Sequence, residues 1–377
     1  MSVSAWRAQL SCVLVALVVG PGAARADGFR NPPEGEWALG RIGGKVAQID
    51  DASAVSHNPA NLADLERSSF IASLTLGYSK KEYESPTGVE ADSKDPWGYL
   101  PNLYAAWPIE SKKVVAGIGL TTPFGRSTTY EKDSYFRYTA PYFAELRGIN
   151  LNPTLAMRVK DNLTAGVGVD ILYSDLDLRQ FYPWSAATGN PAAPDGVTKF
   201  DADGVGLGGN AGVTWEFHER QRVAVTYRMP IHVYYEGDFE VSDIPAGVPA
   251  DPRSSFETDI EFPAVLAFGY GVELNDEVRV EADVEWVQHS LFSSLPLDVA
   301  NNQALLPADE LEANWEDTWT FGLGGDWKFA PNWVARAGYI YLPSPVTDET
   351  LTPTVAEEDQ SVVSVGLGYE NNGRRVD

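Results

Sequence analysis

Cysteine is all but missing from this sequence: Cys12 is the only one. It falls in a leader-like stretch, where Arg7 is followed by the apolar run Leu10 to Val19, a Gly20-Pro21 break and Ala24-Arg25-Ala26. That is the pattern of a signal peptide over residues 1–26, with cleavage expected after Ala26. What remains carries no thiol, which excludes disulfides, cysteine metal sites and thiol catalysis. Histidine is sparse as well. His57, His218, His232 and His289 are scattered without ligand-like spacing, so neither a metal nor another cofactor is expected. Long hydrophobic runs are also lacking. A spanning helix needs about 20 apolar residues, and nothing outside or inside the leader reaches that, so any membrane crossing has to be made by strands. Positive charge is the last shortage. Lys and Arg number 28 against 53 Asp and Glu, and the formal −25 becomes −27 without Arg7 and Arg25. A polyanion needs a basic footprint, so nucleic acid is excluded as a partner. The acidic balance fits wet loops and a wet lumen.

What the sequence does have is alternation. In "FIASLTLGYS" the residues Phe70, Ala72, Leu74, Leu76 and Tyr78 share one face. In "VRVEADVEW" Val278, Val280, Ala282, Val284 and Trp286 oppose Arg279, Glu281, Asp283 and Glu285. "TWTFGLGGDWKF" and "PAVLAFGYGVEL" repeat the pattern, the mark of strands with one apolar face. A soluble sandwich would alternate too. Aromatics near the ends of the stripes, runs of 9 to 11 residues and the export leader favour an antiparallel transmembrane β-barrel in a Gram-negative outer membrane. A Lys or Arg at mid-membrane on the lipid side costs roughly 2–4 kcal/mol, which turns the Arg279–Glu285 face inward. About 12 strands are readable by this rule, starting near Ser68, Pro96, Lys112, Tyr142, Asn162 and Phe200, then Gln221, Phe256, Glu277, Asn314, Asn332 and Gln360. Short turns such as Glu110-Ser111-Lys112 and Asn275-Asp276 alternate with long loops at 79–95, 125–141, 181–199, 240–255, 291–313 and 343–359.

The segment "GFRNPPEGEWALGRIGGKVAQIDDASAVSHNPANL" resembles the N-terminal hatch of the outer-membrane transporters of long-chain fatty acids and aromatic hydrocarbons, the FadL type. "LPNLYAAWPI", "TTPFG", "RVAVTYR" and "WEDTWTFGLGGDWKFAPNWVARAGYIYLPSPV" extend the resemblance in order and spacing from about residue 27 to the end. The resemblance implies a barrel of 14 strands, too wide for wall side chains to fill, closed by a hatch at 27–66 and followed by a barrel over 67–377. It also implies passive uptake of a hydrophobic small molecule by a monomer in contact with outer-membrane lipid, by way of capture on outer loops, a lumen site and a lateral exit that the hatch controls. The final strand "QSVVSVGLGYE" is followed only by "NNGRRVD", so the last two strands are expected to be missing, truncation being favoured over a closure by 12 strands.

Local chemistry supplies candidates. Asn58 suits an N-cap and Pro59 the first helical position, so "NPANLADLE" reads as a short helix burying Leu62 and Leu65. The resemblance places Asn58, Pro59 and Ala60 against the wall near a gap in strand 3. In that strand Gly117 and Gly119 show no side chain to the lumen, and Pro123 cannot donate a ladder bond, so a kink opening a side window is expected. Tyr130, Tyr135, Phe136 and Tyr138 in loop 125–141 are either a landing site for an apolar ligand or pins between loops. Among the lumen cations that alternation provides, Arg158 or Arg336 is the expected clamp for a carboxylate ligand. "GVGLGGNAG" at 204–212 alternates within a strand pattern with no helix after it, so it is not a nucleotide loop. No nucleophile, base and orienting group recur together, and no enzyme is expected. The alternatives are a nonspecific porin, or a structural or adhesin-like barrel.

Overall fold

A computed structural model describes residues 28–377 apart from 86–87, 110–112, 307, 356 and 372; the signal-peptide reading and the Glu110-Ser111-Lys112 turn lie outside the described residues. Twelve long strands form the wall. They are β1 (Ser69–Tyr78), β2 (Trp97–Ile109), β3 (Val114–Thr121, resuming at Gly125–Thr129), β4 (Phe143–Lys160), β5 (Leu163–Tyr182) and β6 (Gly196–His218). There follow β7 (Gln221–Arg228 and Ile231–Val241), β8 (Arg253–Phe262 and Val265–Glu273), β9 (Val278–Val287), β10 (Thr318–Ala330), β11 (Trp333–Leu342) and β12 (Gln360–Asn371). Each strand pairs antiparallel with its neighbour in sequence. Short turns and long loops alternate between them, as the sequence pattern requires of a barrel wall.

Side chains settle which face meets lipid. Phe268 and Tyr270 of β8 and Trp319, Phe321 and Leu323 of β10 are exposed, while Glu281, Asp283 and Glu285 of β9 are buried inside. Trp327, Phe329, Trp333 and Tyr369 form a run of ring contacts at 5.7, 6.5 and 4.8 Å beside the short turns. From Trp319 to Trp327 the strand advances about 26 Å at about 3.3 Å per residue, enough for a tilted crossing. Beyond the upper aromatics the outer face changes character: Asp175, Asp203, Glu236 and Glu257 stand opposite one another across β5 to β8. Such a row cannot sit in hydrocarbon, so these strands project beyond the membrane.

The interior is not uniformly wet, contrary to the expectation from acidic composition. Toward the short turns it is filled by the N-terminal segment, with helices α1 (Glu36–Arg41) and α2 (Ala54–His57) and a 3₁₀ turn at Pro59–Asp64. Trp37, Ile49, Val55 and Leu62 of this segment pack with Ile71, Tyr104 and Val115 of the wall. Toward the long loops the inward side chains are apolar and packed, among them Leu172, Phe200, Tyr235, Phe239, Phe256 and Phe262. The acids are confined to the level where the N-terminal segment can meet them.

At the margins, Arg374–Val376 turns back and pairs with Tyr369–Asn371 of β12. Among the described residues no ladder joins β1 to β12, although Arg67 reaches Glu370 at 3.3 Å.

Candidate functional site

Strand β3 is interrupted where Pro123 removes a donor. Below the break, Leu103–Ile109 of β2 pairs with Val114–Leu120 of β3. Above it, β2 keeps only its β1 partner, and Asn102 accepts the Thr122 amide at 3.2 Å as a last contact. On the other side β4 follows β3 through the break with one residue of slippage, from Thr121↔Asn150 to Gly125↔Arg147. The vacated edge is taken by the N-terminal segment. Arg30 bridges Phe124, Asn31 donates its amide to the Pro123 carbonyl at 2.9 Å, and Gly125 donates to the Phe29 carbonyl at 2.9 Å. Asn31 Nδ2 also donates to the Thr122 carbonyl at 2.8 Å. Two residues of the N-terminal segment, Phe29 and Asn31, thus satisfy backbone groups that an apolar surrounding would leave orphaned. Phe29 holds them from above, its ring 4.8 Å from Phe292, 4.6 Å from Trp315 and 6.0 Å from Phe262.

Beside this latch lies a cavity of about 1180 Å³, bordered by Arg30–Glu34, Leu39, Lys45, His57, Phe124 and Glu285 and reaching Thr75–Tyr78 of β1 and Ser361–Val363 of β12. Its floor is fixed by β9. Glu281 accepts the amides of Val46 at 2.7 Å, Ala47, and Gln48 at 3.0 Å, and lies 3.4 Å from Arg41. Asp283 accepts the Lys45 amide at 2.7 Å, and Glu285 meets Lys45 Nζ at 2.5 Å and Arg30 at 3.0 Å. Arg41 is fully buried, 2.9 Å from Asp326 and 4.4 Å from the Trp37 ring centroid. Glu36 faces the opposite situation. Both its carboxylate oxygens are buried without a hydrogen-bond partner, and burial, with Asp51 nearby, pushes its pKa up to about 7. Burial lowers the pKa of His57, whose Nε2 is 2.8 Å from the Glu34 carbonyl.

Asn58 caps as its sequence context foretells. It accepts the Ala60 amide at 3.1 Å, Pro59 follows at the first position, and Leu62 is buried with Leu65 packed beside it. The turn is 3₁₀ rather than α. Asn58 Nδ2 donates to Thr214 of β6 at 2.9 Å and to the Val46 carbonyl at 2.7 Å. A Cβ on Gly166 of β5 would come within 2.4 Å of Pro59. Asn58-Pro59-Ala60 therefore docks on β5 and β6, while the turn it opens also meets β3 and β4, and Pro59 borders the same cavity as Pro123 and Phe124. Replacing Gly166 with leucine is expected to weaken the hold of this turn by about 1–3 kcal/mol through overpacking, read as faster proteolysis of residues 28–65 in the folded protein. Gly117 and Gly119 stand below the break in β3. They lie in an uninterrupted ladder, where a Cβ would meet Val55 and Leu62 at 2.8 Å, or Val55 and Tyr104 at 3.1 Å. They permit close docking; the break itself belongs to Pro123.

The other candidates separate in the same way. Tyr130 and Phe136 are buried against each other at 5.0 Å, Tyr130 donates to the Pro353 carbonyl, and Tyr138 donates to Asp195 at 2.8 Å. These three pin loops together, leaving Tyr135 exposed. Neither proposed clamp borders the cavity. Arg158 pairs with Asp64 at 2.7 Å near the short turns, and Arg336 pairs with Asp377. Of the four cations that do border it, Arg30 and Lys45 come from the N-terminal segment, where no alternation marks them.

Residues 17–376 match the family described as outer membrane protein transport protein (OMPP1/FadL/TodX). The long-chain fatty acid transport protein of Escherichia coli O6:H1 is 24% identical over 395 residues, covering 96% of this chain and 87% of that protein. A 47 kDa outer membrane protein of Pasteurella multocida is 25% identical, covering 94% of this chain and 86% of its own length. Two crystal structures share the fold. A Pseudomonas aeruginosa FadL homologue has a TM-score of 0.76 at 21% identity, over 92% of this chain and 88% of that one. The Pseudomonas putida toluene transporter TodX has a TM-score of 0.72 at 20% identity, over 92% and 91%.

Proposed function

The chain belongs to the outer membrane transport protein family (OMPP1/FadL/TodX), and from that premise we propose that it is an uptake channel for hydrophobic small molecules whose N-terminal residues act as a hatch over a lateral exit. The observation that carries this reading is the latch at Phe29-Arg30-Asn31, which stands in for a wall strand where β3 is broken. A break that served only shape would need no partner from outside the wall. The partner here is a terminal segment, which can leave without dismantling a ladder. The cavity beside the latch offers room for a molecule that prefers hydrocarbon to water by about 0.8 kcal/mol per CH₂. Exit through the wall spares such a molecule the aqueous periplasm.

The printed functions of the relatives, fatty acid transport and toluene transport, support the same substrate class for this chain. Passive diffusion suffices, since the compound moves down its own gradient. In proteoliposomes the protein is expected to speed transfer of a labelled alkane, arene or fatty alcohol well above empty vesicles, while planar-bilayer recordings show little ionic current. Large ohmic conductance with no gain in hydrophobic transfer would instead identify a nonspecific porin.

A further inference from the structure

The charges around the cavity bear on what can enter it, an inference that rests on the transport reading above. Four permanent cations border it: Arg30, Lys45, Lys80 and Arg228. All four are already engaged. Lys45 and Arg30 share Glu285, one on each carboxylate oxygen, at 2.5 and 3.0 Å. Arg228 pairs with the buried Asp170 and donates to the Ser56 carbonyl at 2.9 Å. Lys80 lies 3.1 Å from both Glu82 and Asp92. Glu34, Glu82, Glu358 and Asp359 line the cavity as well, so carboxylates outnumber cations even before Asp170 is counted. His57 faces the Glu34 carbonyl and adds no permanent charge.

A ligand carboxylate in this space must either stay unpaired beside other carboxylates or break a buried ion pair, and both are unfavourable. The position between Lys45 and Arg30, the place a fatty-acid head group would need, is filled by the protein's own Glu285. We propose that the cavity accepts uncharged hydrophobic molecules, hydrocarbons or neutral amphiphiles such as fatty alcohols, and turns away ionised carboxylates, with Glu285 as the specificity-determining residue. Leu39, Ile42, Val46 and Phe124 supply apolar contact for the body of such a ligand. Ser56 and Thr226 can receive a hydroxyl.

The test is a matched pair, dodecan-1-ol and dodecanoate, bound to the full chain in lipid nanodiscs with empty discs as blank. At pH 8 the alcohol is expected to bind about 100-fold more tightly than the carboxylate. Dodecanoate binding should rise as pH falls through the ligand's own carboxyl titration, while dodecanol binding stays level. Glu285→Gln, which removes the carboxylate that Lys45 and Arg30 share, should raise dodecanoate affinity about tenfold or more and close most of the gap. Should that variant not fold, the pH series on the unaltered chain decides alone. Equal or tighter binding of dodecanoate at pH 8 overturns the inference and leaves the transport reading standing. Failure of both ligands to bind above the blank overturns the transport reading itself.

Discussion

Replacing Glu281 with alanine is expected to turn an almost silent barrel into a conducting one. Glu281 gathers more of the N-terminal segment than any other described wall residue: three consecutive amides, from Val46, Ala47 and Gln48, and the guanidinium of Arg41. Removing it leaves three buried N–H groups without that acceptor and Arg41 with only Asp326 and Gln48. Deleting one partner of a buried, hydrogen-bonded charge costs roughly 3–5 kcal/mol, and each orphaned amide adds to that. The row also has an internal logic. Glu281, Asp283 and Glu285 point the same way from one strand, and like charges at that spacing are tolerable only when cations and amides lie against them. The N-terminal segment supplies both through Arg30, Arg41, Lys45 and its backbone. Loss of Glu281 should therefore release residues 28–65 as a unit, seen as sustained ionic current in planar bilayers and as tryptic cleavage at Arg41 in a barrel that stays folded. Glu281→Gln keeps one acceptor oxygen and the shape, and should fall between. A variant that remains silent and protease-resistant at Arg41 would show that the carboxylate is not the anchor.

The difference between what the sequence revealed and what it hid follows from distance along the chain. Lipid imposes one demand on every second residue, so the outward sets in β8, β9 and β10 are legible from "PAVLAFGYGVEL", "VRVEADVEW" and "TWTFGLGGDWKF" without any fold. The Asn58-Pro59 cap is legible because its partners lie within three residues. Pro123 marks the break for an equally local reason. The filling of that break by Arg30 is not local, and neither is the meeting of Arg30 or Lys45 with Glu285, which lie 255 and 240 residues away. Parity misled in the case of Arg158 and Arg336. It gives the side of the wall correctly, but it carries no information about height in the barrel or about partners, and both residues turn out to be paired away from the cavity. The loop aromatics were visible as a cluster in sequence. The interior cluster of Phe29, Phe262, Phe292 and Trp315 is assembled from four separate segments, so no window of sequence displays it.

Locking the latch should abolish uptake without touching the barrel. The hydrogen bonds flank Arg30 and Phe124 on either side, Asn31 to Pro123 and Gly125 to Phe29, which makes the two a non-hydrogen-bonded antiparallel pair with Cα atoms about 4.5 Å apart. That falls at the close end of the 4.4–6.8 Å range of ordinary disulfides. Cys12 is the only natural cysteine, so with Cys12→Ser in the background an Arg30→Cys, Phe124→Cys double variant has no competing thiol. Oxidised, it is expected to carry a hydrophobic compound no faster than empty vesicles. After reduction, transport should return to the rate of the same variant never oxidised, which controls for the lost Arg30–Glu285 pair. The effect is all-or-none because the proposed exit has one door, the stretch of β3 where residues 29–31 replace a strand. If the oxidised protein transports as fast as the reduced one, the compound leaves by another path, and the β3 break is a feature of shape alone.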